Sequence, residues 1–267
     1  MIPNILSIAG SDPSGGAGIQ ADIKSISANG GFAMAALTAL TAQNTSAVTG
    51  VELVDPAFVE KQIDTVFDDI AVAGVKIGMI ATAGIAAAIA GSLTRNKATG
   101  IVLDPVMVAK GGDRLLAQDA IGALATQLMP LASVITPNLP EAAALAGFAE
   151  IASRDEMPAL ARALQKLGAR AVLLKGGHLK SADSPDYLLL ESGNGIWFEG
   201  LRTKTRNTHG TGCTLSAALA TRLAVTGDIE TAAREAKAYV AGTIAHADEL
   251  NVGNGHGPTH HFFAWHR

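Results

Sequence analysis

The sequence predicts an α/β protein in which a mainly parallel sheet is covered by helices on both faces. Short apolar runs alternate along the chain with longer stretches in which apolar residues recur at helical spacing. This alternation is typical of parallel strands joined by helical crossovers. Of the 267 residues 48% are hydrophobic, and no Pro- or Ser-rich linker interrupts them. We therefore expect one domain over residues 1–267.

The apolar runs and the helical patterns give the individual elements. Short apolar runs predict buried strands at residues 5–9, 75–77, 101–103, 134–136 and 171–174. Helical patterns cover residues 19–27, 58–70, 83–93, 118–128, 157–167 and 229–250, and another helix begins after Gly212. Residues 187–190 and 196–198 flank the turn sequence SGNG, which predicts a β-hairpin that adds antiparallel edge strands.

The charge balance and the cysteine content limit the class of protein. The formal net charge is −4 and Lys and Arg form no run, which excludes a nucleic-acid footprint and favours a small partner. No basic segment followed by a long apolar stretch opens the sequence, so we expect no membrane span and a cytoplasmic enzyme. The single cysteine excludes an internal disulfide framework and a Cys-cluster metal site.

The run NTHGTGCTLS at residues 207–216 is the most informative segment for function. It brings glycines, hydroxyls and the only cysteine to the start of a predicted helix. The first amides of a helix lack partners within it and the helix dipole is positive there, so this segment predicts an anion site. The same field favours a lowered pKa for the Cys213 thiol. Alternatively, Gly210 and Gly212 are turn glycines and Cys213 is a small buried residue.

A second glycine-rich run, AGSDPSGGAG, follows the first predicted strand at residues 9–18. Its glycines would let the backbone approach a ligand closely. It is neither an in-register Gly-x-Gly-x-x-Gly nor a Walker A sequence, which argues against dinucleotide and P-loop sites. Ordinary turn formation stays an equal alternative for this segment.

Acidic and amide side chains follow two of the predicted strands. Asp104 comes directly after strand 101–103, at the carboxyl edge where open α/β sheets bind ligands, and could hold Mg²⁺ or merely end the strand. Asn138 and Glu141 follow the next strand and are spaced as a helix capping box. At the same edge as Asp104, the pair could also hold metal-bound water.

Other polar residues near strand ends have weaker signals. Lys76 and Lys175 belong to two strand-end segments that run into glycine, at Gly78 and Gly176, where the chain leaves the sheet. Both segments could be turn chemistry, although Lys175 is a candidate phosphate partner. Gln43 carries an amide that could pair with a heteroaromatic ring bearing an amine beside a ring nitrogen. The histidines of the loop-like tail 253–261 lack acidic or thiol partners at ligand spacing, which favours a structural role over a metal site.

Taken together, these segments closely resemble the hydroxymethylpyrimidine/phosphomethylpyrimidine kinases of thiamine biosynthesis, members of the ribokinase-like superfamily. The likeness covers nearly the whole chain. The matching runs are AGSDPSGGAGIQAD at 9–22, ALTAQNT at 39–45, KIGM at 76–79, LDPVM at 103–107, TPNLPE at 136–141, KGGH at 175–178, THGTGCT at 208–214 and GHGP at 255–258.

The resemblance implies a three-layer α/β/α sandwich and two reactions. MgATP would phosphorylate the hydroxymethyl group of 4-amino-5-hydroxymethyl-2-methylpyrimidine, and then the monophosphate to the diphosphate. It also implies a homodimer. The loop 109–113 varies within the family, and its Lys110 could touch a phosphate or face solvent.

The resemblance also implies roles for the residues of the matching runs. Gln43 would recognise the pyrimidine edge. Four residues would line the pyrimidine pocket: Gly10, Ala17, Met79 and Val106. Three would form the anion hole: Gly210, Thr211 and Gly212. Three would organise Mg²⁺: Asp104, Asn138 and Glu141. Lys175 and Thr208 are expected at the ATP. Cys213 stands where the sugar kinases of the superfamily carry an aspartate base, and would accept the proton of the alcohol.

Two alternatives remain. A pyridoxal or pyridoxine kinase of the same fold would share the glycine-rich cysteine loop, although Gln43 in TAQNT favours the pyrimidine. A noncatalytic nucleotide- or vitamin-binding module would keep the pocket but would not need the anion hole, the acidic edge and Cys213 together.

Overall fold

The computed structural model describes residues 1–107, 118–149, 151 and 153–265. The loop 109–113, with the predicted phosphate contact of Lys110, lies outside these residues.

A central sheet of eight strands forms the middle layer of the described part of the chain. Its strands are β1 (Asn4–Ala9), β2 (Phe32–Leu37), β5 (Gly74–Ile77), β6 (Ile101–Leu103), β7 (Val134–Ile135), β8 (Val172–Lys175), β9 (Asp186–Leu189) and β10 (Gly195–Phe198). They lie in the order β10-β9-β8-β7-β6-β5-β1-β2. Neighbours from β2 to β8 pair in parallel, whereas β8, β9 and β10 pair antiparallel. Strands β3 (Ala39–Gln43) and β4 (Val48–Leu53) form a separate antiparallel pair.

Helices cover both faces of the sheet. They are α1 (Gly18–Ala28), α2 (Pro56–Asp69), α3 (Ala83–Arg95), α4 (Gln118–Ala123), α5 (Leu139–Ala146), α6 (Met157–Lys166), α7 (Thr211–Thr226) and α8 (Ile229–Ala245). One apolar cluster joins the sheet to α2 through α6, and a second joins it to α1, α7 and α8. The expected three-layer α/β/α arrangement is therefore confirmed.

Alternation along the strands supplies both cores, because successive side chains point to opposite faces. Leu6 and Ile8 of β1 pack with α2 and α3, whereas Ile5 packs on the α1 and α7 side. In β5, Val75 and Ile77 join the first cluster. Between them, the fully buried Lys76 belongs to the opposite face.

The predicted elements are confirmed within a few residues, with three corrections. The helix predicted at 118–128 is α-helical only to Ala123 and then widens to a π-helical turn, Leu124–Leu128. Helix α8 ends at Ala245, and a 3₁₀ turn follows at Ala247–Glu249. Strands β2, β3 and β4 were not predicted.

The strand order places a ligand site at the carboxyl edge of the sheet. The chain passes from β1 outward to β2 and later returns to β5 on the other side of β1. Such a switch point leaves a crevice beyond the strand ends. Among the described residues, no helix has the length and apolar character needed to cross a bilayer.

Candidate active site

A cavity of about 1080 Å³ lies at this edge. It is lined by every site residue named from the sequence: Gly10, Ala17, Gln43, Met79, Asp104, Val106, Asn138, Glu141, Lys175, Thr208, Gly210, Thr211, Gly212 and Cys213. Segments far apart in sequence are thus brought together. The individual roles of these residues stay predictions.

The two glycine-rich runs interlock at the cavity. Gly210 has a φ of +75°, and a Cβ there would lie 1.8 Å from the carbonyl oxygen of Gly16. A Cβ on Gly16 would in turn lie 2.3 Å from the ring of His209. Both positions require glycine, because a side chain at either would force the loops apart.

An Asp–His pair holds the same loops together. Asp12 Oδ2 lies 2.7 Å from His209 Nε2 and accepts a hydrogen bond from the Ala17 amide at 2.8 Å. Asp12 Oδ1 accepts hydrogen bonds from Ser14. Burial raises the pKa of Asp12, but these hydrogen bonds outweigh it and the pKa is lowered. Asp12 is therefore an anion that organises the loop around it.

Helix α7 begins at the cavity with its first turn uncapped. Gly210 is the N-cap residue and has no side chain to cap this end, and the Thr211 amide donates to the carbonyl of Thr208 at 3.4 Å. Thr211 and Gly212 line the cavity, while the hydroxyl of Thr211 donates to the carbonyl of Thr208 at 2.8 Å. Helical amides that lack partners, together with the positive end of the dipole, make this turn suited to an anion.

The pKa expected for Cys213 is wrong in sign. Burial raises the pKa of its thiol to about 11, and it outweighs the lowering effect of the nearby Lys76 ammonium. Asp22 and Asp104 raise the pKa further, while a backbone hydrogen bond from Gly18 lowers it. Cys213 is partly buried, and the loss of hydration at its thiol prevails over the influences that favour the thiolate.

Asp104 and Lys175 form an ion pair beside the anion turn. Lys175 Nζ lies 2.8 Å from Asp104 Oδ1, and Asp104 is almost fully buried. The hydroxyls of Thr136 and Ser216 donate to the same carboxylate at 3.2 and 3.3 Å. A Cβ on Gly212 would lie 3.3 Å from Lys175 Nζ, so the ammonium lies against the first turn of α7.

Asn138 and Glu141 form the predicted capping box of α5. Asn138 Oδ1 accepts from the Glu141 amide at 2.9 Å, and Glu141 Oε2 accepts from the Asn138 amide at 2.8 Å. Burial raises the pKa of Glu141 to about 7, with Lys175 opposing and Asp104 adding to the rise. Glu141 thus takes part in the cap of α5 and also lies close enough to Asp104 for their charges to interact.

The donor chemistry at this edge fits Mg²⁺. Protein-bound Mg²⁺ usually takes one or two carboxylates and completes its shell with phosphates and water. Asp104 and Glu141 supply two buried carboxylates whose negative charges repel each other. Asn138 fits less well as a direct ligand, because its carboxamide oxygen is engaged by the cap.

The residues of the predicted pyrimidine pocket come from the loop after β1, from β3 and from the segments after β5 and β6. A Cβ on Gly10 would lie 2.3 Å from Cε of Met79, so the end of the Met79 side chain packs directly against Gly10. Gln43 ends β3, and its Oε1 accepts a hydrogen bond from the Thr41 hydroxyl at 3.2 Å. Thr41 also bonds the Ser11 carbonyl at 2.9 Å, which ties β3 to the loop that carries Gly10.

A family model described as phosphomethylpyrimidine kinase matches residues 12–260. The chain belongs to the phosphomethylpyrimidine kinase family. It is 50% identical to the hydroxymethylpyrimidine/phosphomethylpyrimidine kinase of Salmonella typhimurium, over 98% of each chain. The resemblance inferred from the motifs is confirmed.

Solved structures show the same ribokinase-like fold. The ADP complex of Bacillus subtilis pyridoxal kinase matches with a TM-score of 0.91 and 35% identity, over 100% of both chains. A phosphomethylpyrimidine kinase from Clostridium difficile matches with a TM-score of 0.78 and 40% identity, over 89% of this chain and 97% of that chain.

Several polar residues of this kinase-family cavity have little or no signal in the sequence. Lys76 stands two positions before Gly78 in a segment that could be turn chemistry, but it lies inside β5 and lines the cavity. Its sequence signal is a lysine between Val75 and Ile77 in an otherwise apolar strand. The pairing of Asp12 with His209 had no local signal, because the two belong to distant segments.

Proposed function

We propose that this chain transfers the γ-phosphoryl group of ATP to the hydroxymethyl group of 4-amino-5-hydroxymethyl-2-methylpyrimidine. It then phosphorylates the monophosphate to the diphosphate, in thiamine biosynthesis. One observation carries the proposal: the uncapped first turn of α7 lies in one cavity with Cys213 and with the Asp104–Lys175 pair. The name of the Salmonella typhimurium relative gives the same pair of acceptors.

The first transfer needs an acceptor oxygen, a phosphoryl group and a proton acceptor in contact. The pyrimidine occupies the end of the cavity near Gly10 and Gln43, with its hydroxymethyl group toward Cys213. The hydroxymethyl oxygen forms a bond to the γ-phosphorus as the bond from that phosphorus to the bridging oxygen breaks, and ADP leaves. The hydroxyl proton passes to the Cys213 sulfur.

Charge neutralisation is the main contribution of the protein. Phosphoryl transfer passes through a loose transition state with negative charge on the phosphoryl oxygens, so positioning and electrostatics provide most of the acceleration. The turn formed by Gly210, Thr211 and Gly212 would bind this charge, with the Thr211 amide leaving the Thr208 carbonyl to do so. Lys175 Nζ lies beside this turn, 3.3 Å from where a Cβ on Gly212 would stand. Lys175 and Thr208 also contact the nucleotide phosphates.

Asp104 and Glu141 would hold Mg²⁺, and Asn138 would fix Glu141 through the capping box. The cation, when bound, neutralises phosphate charge and orients the triphosphate. The protein residues keep the two carboxylates buried beside Lys175, which balances them.

The second transfer differs in its acceptor. A phosphate monoester is mostly doubly ionised at neutral pH, with a second pKa of about 6, so its attacking oxygen carries no proton. Cys213 is then not needed as a proton acceptor, although the anion turn and the acidic edge are still required.

We further propose that residues 1–267 act as one kinase domain, as a homodimer in the cytoplasm. The central sheet includes both β1 and β10, and α7 and α8 return to pack on it, which supports one domain. Exposed apolar side chains on β3 and β4, Leu40, Val51 and Leu53, support self-association. Sedimentation velocity at several concentrations tests the dimer.

A pyridoxal kinase activity is the second candidate, because the Bacillus subtilis pyridoxal kinase has the same fold over the full chain. The test is to measure kcat/KM with MgATP for the hydroxymethylpyrimidine, pyridoxal and pyridoxine. We expect the pyrimidine to be strongly preferred. A preference for pyridoxal or pyridoxine would transfer the function to that candidate.

A further inference from the structure

A buried ion pair lies beneath the cavity and is not used by the mechanism above. Lys76 and Asp22 are both fully buried, and Lys76 Nζ lies 2.7 Å from Asp22 Oδ2. The Ser7 hydroxyl donates to the same oxygen at 2.6 Å. A Cβ on Gly78 would lie 2.6 Å from Lys76 Nζ, so the chain passes tightly over the ammonium.

Stability alone does not account for this pair. Removing two charges from water is costly, and well-packed apolar residues often stabilise a core as well or better. Asp22 Oδ1 is also buried and has no hydrogen-bond partner among the described residues. Burial opposes the charge on Lys76, but the negative charges of Asp22, Cys213 and Asp104 and the hydrogen bond to Asp22 together outweigh it, and the pKa of Lys76 is raised. The ammonium therefore stays charged.

The surroundings of Cys213 indicate which group the Lys76 ammonium acts on. Lys76 and Cys213 line the same cavity. Four charged groups act on the thiol: Lys76 of β5, Asp22 of α1, Asp104 after β6 and Lys175 of β8. The Gly18 amide at the start of α1 also donates a hydrogen bond to the sulfur. Of these, Lys76 is the strongest influence toward the thiolate, while the carboxylates act against it.

We propose that Lys76 is a positioning residue of this kinase, whose buried ammonium, fixed by Asp22 and Ser7, is the counter-charge for the Cys213 thiolate. The inference rests on the proposed function, in which Cys213 accepts the hydroxyl proton. Lys76 itself exchanges no proton. It stabilises the anion that exists before the transfer, and the sulfur becomes a neutral thiol as the oxygen–phosphorus bond forms.

Substitutions of Lys76 and of Asp22 must then shift the pKa of the Cys213 thiol in opposite directions. Lys76→Met removes the counter-charge and raises the pKa of the thiol. Asp22→Asn removes a carboxylate that raises the pKa of the thiol, while Asp104 and the Cys213 thiolate still favour the charged form of Lys76, so the pKa of the thiol falls. Purely structural damage to the network would not separate the two variants by sign.

The experiment uses the fact that Cys213 is the only cysteine. The rate of alkylation by iodoacetamide from pH 7 to 10, followed by the mass of the proteolytic peptide that contains Cys213, reports this thiol alone. Lys61→Met, which removes an exposed lysine of α2, is the matched control. At a pH below the pKa of the thiol, raising that pKa by about one lowers the thiolate fraction about tenfold. We expect alkylation at fixed pH to be about tenfold slower in Lys76→Met, faster in Asp22→Asn, and unchanged in the control.

The inference would be overturned if the alkylation rate changed in the same direction in both variants, or if it changed in neither. If Lys76→Met does not fold, as judged by circular dichroism, Asp22→Asn decides alone: faster alkylation supports the inference and equal or slower alkylation overturns it. Alkylation needs no turnover, so it is independent of the proposed reaction. Full activity in Cys213→Ala would contradict the proposed base, whereas an unchanged alkylation profile with an inactive Cys213→Ala would contradict only the role of Lys76.

Discussion

His209 Nε2 lies 2.7 Å from Asp12 Oδ2, although 197 positions separate the two residues in sequence. The contact joins the loop after β1, which carries the predicted pyrimidine pocket, to the loop that leads into α7. This buried contact and the close approach of Gly16 and Gly210 hold the two loops to each other.

The first prediction concerns this contact. Asp12→Asn keeps the size of the side chain but removes the charge that accepts from His209, Ser14 and Ala17. We expect turnover to fall by about 10- to 100-fold, because small misplacements of reacting groups cost this much. Steady-state kinetics for both substrates, with circular dichroism as the folding control, check it. Unchanged turnover would show that the contact does not align the loops.

The second prediction separates the two transfers. Cys213→Ala should lower turnover on the hydroxymethylpyrimidine far more than on its monophosphate, because only the alcohol has a proton to lose. Binding of the pyrimidine should change little, since the proposed role lies in the transition state. Separate assays with each acceptor measure the ratio. Equal losses on both acceptors would contradict a role specific to proton acceptance.

The third prediction concerns pH. A base acts when deprotonated, and burial raises the pKa of Cys213 from its ordinary value to about 11. The kcat/KM of the first transfer should therefore rise by about tenfold per pH unit from pH 7 to 10. The reason is that the thiolate fraction of the free enzyme rises by the same factor over this range. The profile for the monophosphate should lack this rise. A flat profile for the alcohol would rule out the thiolate as the base.

The fourth prediction tests ring recognition. Gln43→Ala removes the amide proposed to pair with the aminopyrimidine edge, and should weaken pyrimidine binding by about 1 to 3 kcal/mol. Nucleotide affinity should stay the same. Isothermal titration calorimetry with each ligand measures both, and an unaltered pyrimidine affinity would mean that Gln43 does not recognise the ring.

The fold was predictable where local pattern and burial agree. Residues 101–103 form an apolar run followed by Asp-Pro, and they are the strand β6 as predicted. Strand β2 escaped prediction because its sequence FAMAAL lacks the β-branched residues that mark a strand. The exposed β4 has no buried apolar run to signal it. The π-helical turn after Ala123 keeps apolar spacing, so the pattern does not reveal the wider turn.

The site was predictable as a set of positions but not as a set of interactions. Strand-end placement brought Asp104 and Glu141 to one edge, and the capping box of Asn138 was predictable from spacing alone. The raised pKa of Cys213 was not predictable from the sequence, because the burial that raises it comes from tertiary packing. The partner of Lys76 lies on α1, 54 positions earlier, and only the folded chain brings them together.

The central claim is that one chain phosphorylates the same pyrimidine twice. The most direct measurement incubates the purified protein with MgATP and the hydroxymethylpyrimidine and follows the product masses with time. We predict that the monophosphate rises and falls while the diphosphate accumulates, with two ADP released per pyrimidine. Accumulation of the monophosphate alone, or no phosphorylated pyrimidine at all, would contradict the account.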